Sequence, residues 1–133
     1  PQNPKTPFLR KKFKFKKEKM NLIGMDPILM KSFREHKEKI TDSIFSSNLK
    51  QLITSSMDGT VLATSLKANS RANKFIGHKG PVYSVSVNPS NTLIASGSRD
   101  STVRIWNNNA SARSTVIKGH TAPVRCVQFN NDG

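Results

Sequence analysis

His78, Ser96, Ser98 and Asp100 are the residue types from which a hydrolase builds a general base, a nucleophile and an orienting carboxylate. The set is not unique in the chain. His36, His78 and His120 are spaced by 42 residues each time, and Asp58 precedes Asp100 by the same 42. A catalytic centre has no reason to recur with the period of a fold, so the repetition points to a structural role and to a protein that is not an enzyme. The spacing also argues against a metal site: each histidine falls in a different unit, too far from the others and from Cys126 to share one ion. No metal and no cofactor is expected. No glycine-rich loop precedes a lysine and hydroxyl pair, so a phosphate cradle is not indicated either.

The elements that must position these residues follow the same register. Phe33, Phe75 and Ile117 keep the 42-residue spacing, as do Ile40, Val82 and Val124, and Phe45, Val87 and Phe129. Within the middle unit, PVYSVSV alternates as a strand, with Val85 and Val87 sharing one face, and residues 88–91, NPSN, supply a turn. TLIASGS is a second strand, Arg99 to Ser101 a turn, TVRIW a third strand and RSTVIKG an outer one. The β-branched content argues against helix, so the fold class is all-β. Asp100, in the turn, can accept from backbone amides and from His78; His78 can reach a hydroxyl of Ser96 or Ser98, and that hydroxyl the indole N–H of Trp106. An indole N–H buried without a partner would cost roughly 1–3 kcal/mol. Trp106 is therefore expected to be a core plug held by a polar tether, with His36 and Asp58 in the matching places of the preceding unit and His120 opening the next.

Charge is distributed unevenly. The chain has 22 Lys and Arg against 8 Asp and Glu, for a net charge of +14, and residues 1–24 hold eight of the basic residues with Glu18 as their one acid. That segment has no apolar face on which to fold and is predicted to be a disordered basic tail. Lys12, Lys14 and Lys16 alternate with Phe13 and Phe15, with Lys17 following. An extended arm of this kind suits any polyanion: nucleic acid, an acidic membrane or an acidic protein surface. The alternative is a solvated extension upstream of a natural start at Met25. The lone Cys126 cannot staple the chain internally and reads as a small buried filler. With no secretory pattern or bilayer-length apolar span, a reducing intracellular compartment is expected.

GHKGPVYSVSVNPSNTLIASGSRDSTVRIW resembles the WD repeat of β-propellers, opening on Gly77-His78 and closing on Ile105-Trp106. FREHKEKITDSIFSSNLKQLITSSMDGTVLATSL resembles a degenerate copy, with Glu35 in place of the glycine and Thr64 in place of the tryptophan, and KGHTAPVRCVQFNNDG the start of another. The expected organisation is a tail over 1–24, a first blade over 25–66, a second over 67–108, and an outer strand with the start of a third blade over 109–133. Together these are about two blades and the beginning of a third from a ring of about seven, a number the family implies. SSMDG, ASGSRDSTVRIW and STVIKGHTAPVR further resemble the N-terminal blades of the proteome-of-centriole family of WD-repeat proteins. That resemblance implies a scaffold in the cytoskeleton, at the microtubule wall of centrioles, centrosomes and ciliary basal bodies, supporting triplet stability and cilium assembly. Its implied partners are tubulin or other centriolar proteins rather than nucleic acid. The alternative is an adaptor subunit of a ubiquitin-ligase, chromatin or RNA-processing complex. Contact residues should be exposed and should differ between repeats, which selects Lys37, Lys39, Lys79, Arg99, Arg104 and Arg125 besides the lysines of the tail.

Overall fold

A computed structural model describes residues 32–67, 69–109 and 113–132. The tail over residues 1–24, with Lys12, Lys14, Lys16 and Lys17, lies outside the described residues. Eight strands follow in chain order: β1 (Ile40–Phe45), β2 (Gln51–Ser56), β3 (Thr60–Ser65), β4 (Asn73–Ile76), β5 (Val82–Val87), β6 (Leu93–Ser98), β7 (Val103–Asn107) and β8 (Ser114–Ile117). They form two four-stranded antiparallel meanders, β1-β2-β3-β4 and β5-β6-β7-β8. The sheets do not end at the repeat boundaries expected at 66 and 108. Each sheet is completed by the strand that comes after the repeat, so β4 closes the first sheet and β8 the second. Among the described residues no helix is long and apolar enough to cross a membrane.

The turns repeat as faithfully as the strands. Leu49 and Asn91, 42 residues apart, both take a left-handed conformation at φ 55° and 60°. Gly59 (φ 83°) and Ser101 (φ 65°) do so in the other hairpin turn of each sheet. Gly59 also meets a steric limit, because a Cβ there would lie 3.3 Å from the Gly80 carbonyl oxygen.

Register shifts interrupt β1 between Ile40 and Asp42 and β5 between Val82 and Ser84. Simple alternation would put Val82 and Val85 on opposite faces; the bulge at Tyr83 returns both to the core, while Val87 is half-buried against it. That core spans the two sheets: Ile53, Val61, Ala63 and Phe75 from the first meet Val82, Val85, Ile94 and Trp106 from the second. Phe75 and Trp106 lie with ring centroids 5.6 Å apart. A single meander would leave these side chains in water, so the blades stabilise each other by stacking.

Residues 121–129 begin the third repeat as an extended segment against the second sheet. The N–H groups of Val124, Val127 and Phe129 donate to Ser98 O, Ser84 Oγ and Ser86 Oγ. The segment approaches β6 so closely that a Cβ at Gly97 would sit 2.7 Å from Val124 Cγ1. Cys126 is exposed here, not the buried filler expected, because no described residue covers the outer side of this segment.

Candidate functional site

The end of β6, the turn at Arg99–Ser101 and the Gly77–Gly80 loop bring the histidine, serine, aspartate and tryptophan together. His78 Nδ1 is 2.9 Å from Asp100 Oδ2 and His78 Nε2 is 2.7 Å from Ser96 Oγ. The Trp106 indole donates to the same Ser96 oxygen at 2.8 Å. Of the two candidate serines it is Ser96 that closes the chain; Ser98 Oγ donates instead to the Gly80 and Pro81 carbonyls. Asp100 is held by the Lys79 N–H at 2.9 Å and by the N–H and hydroxyl of Thr102.

One proton arrangement satisfies every atom of this chain. Trp106 N–H donates to Ser96, the Ser96 hydroxyl donates to Nε2 of a neutral His78, and His78 Nδ1–H donates to Asp100. Burial holds the His78 pKa below its ordinary value, against the raising effect of the Asp100 hydrogen bond and charge, with the Arg104 charge lowering it further. Asp100 is held below the usual carboxylate range: burial would raise it, but the bonds from Thr102, Lys79 and His78 prevail.

The distances are those of a hydrolytic triad, yet the arrangement cannot act as one. Ser96 is fully buried and the His78 side chain has no exposed surface, so no substrate carbonyl can approach the hydroxyl. The Ser96 oxygen is also committed to the indole. Among the described residues, no three His, Cys, Asp or Glu side chains group so as to hold a metal ion.

Blade one carries the same relay without the tryptophan. His36 Nδ1 is 3.3 Å from Asp58 Oδ2, and His36 Nε2 is 2.8 Å from Thr54 Oγ1, with threonine standing where blade two has Ser96. Asp58 is held down to about 2: burial would raise it, but hydrogen bonds from the Thr60 hydroxyl, the Lys37 N–H, the Thr60 N–H and His36 outweigh that effect. The two departures of this blade are physically linked. A Cβ at Gly77 would lie 2.9 Å from Arg104 Nη1 and 3.1 Å from Trp106 Cη2, so glycine leaves these two side chains the room they occupy in blade two. Blade one has Leu62 and Thr64 in those places and has no indole or guanidinium to avoid, so Glu35 fits. His120 is exposed and makes no hydrogen bond among the described residues.

The contact candidates fall into two groups. Lys37, Lys39, Lys79 and Arg99 are exposed at the end of the blades that carries the His–Asp turns. Arg125 is also exposed, its guanidinium 5.6 Å from the Tyr83 ring centroid. Arg104 is half-buried: it donates to Ser114 Oγ at 2.7 Å and lies 5.8 Å from the Trp106 centroid, while its Nε is buried without a partner. It braces the indole and does not present a free cation. The sequence carried a signal for this, since Arg104 and Trp106 are two residues apart in one strand and share a face.

Residues that tie blade to blade were not anticipated. Asp42 Oδ2 accepts from Val85 N–H at 3.1 Å and from Ser84 Oγ at 3.3 Å, and Thr41 Oγ1 donates to Val82 O. Ser84 then does for Val127 what Asp42 does for Val85. At the far end of the sheets, Ser47, Asn91, Asn108 and Gln51 bond across the same boundary.

Two stacked four-stranded meanders, each pinned by a His–Asp turn, define a β-propeller repeat protein. The family model for the WD domain, G-beta repeat, matches residues 28–62, 69–107 and 112–133, and the chain belongs to this family. The repeats form a non-catalytic scaffold for protein contacts. POC1 centriolar protein homolog B of Mus musculus is 47% identical over 51 residues, and that of Rattus norvegicus 46%. Each match covers 38% of this chain and 11% of the relative, so the chain matches about a tenth of the length of these relatives. Solved structures of U3-55K and of the RRP9 WD40 repeats share the fold, with TM-scores of 0.68 and 0.67 at 19% identity, over 72% of this chain and 31% of theirs.

Proposed function

We propose that the protein is a scaffold that binds the microtubule wall of centrioles or ciliary basal bodies and supports triplet stability and cilium assembly. The observation that carries this reading is the 47% identity over 51 residues to a relative named as a centriolar protein. The exposed cations Lys37, Lys39, Lys79 and Arg99 support it, because an acidic partner surface such as that of tubulin would be drawn to that end of the blades. The shared network holds the blade, and residues that vary around it are the ones free to specify a partner. Cytoskeletal localisation at the centrosome or basal body follows from the reading. The test is the position of the tagged full-length protein in ciliated cells. A signal on the centriole wall is expected; a protein that stays with a soluble complex and away from centrioles is an adaptor of another assembly.

A further inference from the structure

β4 and β8 are the last strands of their sheets, and each is hydrogen-bonded to a neighbouring strand on one side only. No backbone group of residues 73–76 bonds to a described residue outside β3. Successive residues of a strand turn their N–H and C=O groups to opposite sides, so β4 presents unpaired donors and acceptors along its outer edge. That edge is held from behind. Phe75 is buried against Trp106 of blade two, and Asn73 Nδ2 donates to Asn108 O at 3.4 Å. A strand fixed in this way loses little conformational freedom when a partner pairs with it.

The side chains on this edge differ between the blades. Lys74 and Ile76 stand opposite Leu62 and Thr60 in the register of β3 and so share a face. Their counterparts 42 residues on are Val116 and Lys118. Val116 is half-buried, and Lys118 is exposed even though blade one stacks on that face of blade two, where Trp106 meets Phe75. Exposure at this position is therefore a property of the rim, and blade one places an isoleucine there that is 70% exposed. Lys74 and Arg71 are exposed as well, and neither makes a hydrogen bond or an ion pair among the described residues. The sequence holds no carboxylate between Asp58 and Asp100, so β4 has no acidic side chain of its own or from its hairpin partner β3.

We infer that the outer edge of β4 pairs with an extended, acidic segment of a partner protein, which adds to the first sheet as a further strand. The open ladder supplies the backbone hydrogen bonds. Ile76 offers an apolar contact to one side chain of the added strand, and Lys74 with Arg71 select carboxylates at others. A second copy of this chain does not fit the same edge, because pairing two β4 strands would bring Lys74 and Arg71 against like charges. The inference goes beyond the proposed function and does not use the cations at the His–Asp end of the blades, so it stands or falls separately from microtubule binding.

The test is fluorescence anisotropy of a labelled peptide of alternating glutamate and valine titrated with the full-length protein, with amide hydrogen exchange followed in the presence and absence of the peptide. Saturable binding is expected, with exchange slowed in β4 and unchanged in β8. Lys74→Glu should weaken binding roughly fivefold and Ile76→Thr roughly threefold, the losses expected for one exposed ion pair reversed in sign and one exposed apolar contact. Lys118→Glu makes the same change in net charge on β8 and should shift binding by less than about twofold. A peptide of alternating lysine and valine should not bind. Equal losses from Lys74→Glu and Lys118→Glu would reduce the effect to net charge and overturn the inference. Binding that leaves exchange in β4 unchanged would also overturn it, because no ladder would have formed, and that readout uses the parent chain and needs no variant.

Discussion

Replacing Gly77 by alanine isolates the packing that separates the two blades. The added Cβ would sit 2.9 Å from Arg104 Nη1, 3.2 Å from Arg104 Cζ and 3.1 Å from Trp106 Cη2. Neither neighbour can retreat freely. The guanidinium is bonded to Ser114 at 2.7 Å and the indole to Ser96 at 2.8 Å, so the few tenths of an ångström that each must give strain a hydrogen bond. Overpacking of this kind costs about 1–3 kcal/mol, and the tethers place the expected value near the middle of that range, about 2 kcal/mol. The assay is a double-mutant cycle on the full-length protein, read from urea midpoints at unchanged m value. The second background carries Arg104→Leu and Trp106→Thr, the residues blade one has at Leu62 and Thr64. That background is itself destabilised, by about 3–5 kcal/mol for loss of the indole alone, but within it Gly77→Ala should cost under about 0.5 kcal/mol. A cost that is the same in both backgrounds, or no cost in the parent, would refute the explanation of why Glu35 and Thr64 occur together.

The ionisable network makes stability depend on pH in two windows. His78 is held below its ordinary value of 6.5, so the unfolded chain takes up its proton first and stability declines as pH falls below about 6.5. Asp58 and Asp100 are lowered from 3.8, so their contribution is complete above about 4 and is lost as pH falls towards about 2. Urea midpoints across pH should therefore show two declines, the upper one absent in a His78→Gln variant; a single decline below pH 4 in the parent would contradict the buried neutral imidazole. Asp42→Ala strips the acceptor from the Val85 N–H at the blade boundary and should cost about 1–3 kcal/mol, with faster amide exchange at Val85 as the specific readout. Leu49 is 69% exposed in a left-handed conformation that Asn91 occupies in blade two. Leu49→Asn should therefore stabilise the protein by about 1 kcal/mol, measured as a raised urea midpoint; a loss of stability would show that the leucine makes a contact of its own.

Much of the fold was legible because a 42-residue period places chemically similar residues at the same point of successive units. His36, His78 and the paired aspartates could be read as structure before any coordinates for that reason alone. The choice between Ser96 and Ser98 could not, because both face the same side of β6. Register decides it: Trp106 pairs with Ile94, which puts Ser96 two residues away and Ser98 four, about 13 Å along the strand and out of the indole's reach. The bulge at Tyr83 was hidden for a related reason, since no residue type marks it. Asp42 escaped notice because its period partners are Ser84 and Cys126: the acceptor role passes from Asp42 to Ser84 while the residue changes.

The most direct test of the proposed scaffold role is co-sedimentation of the full-length protein with assembled microtubules at low and high salt, with and without residues 1–24. The predicted result is salt-sensitive pelleting that survives removal of the tail, which places binding on the propeller. Pelleting that disappears with the tail would contradict that placement, and no pelleting at either salt would contradict the microtubule-wall reading itself.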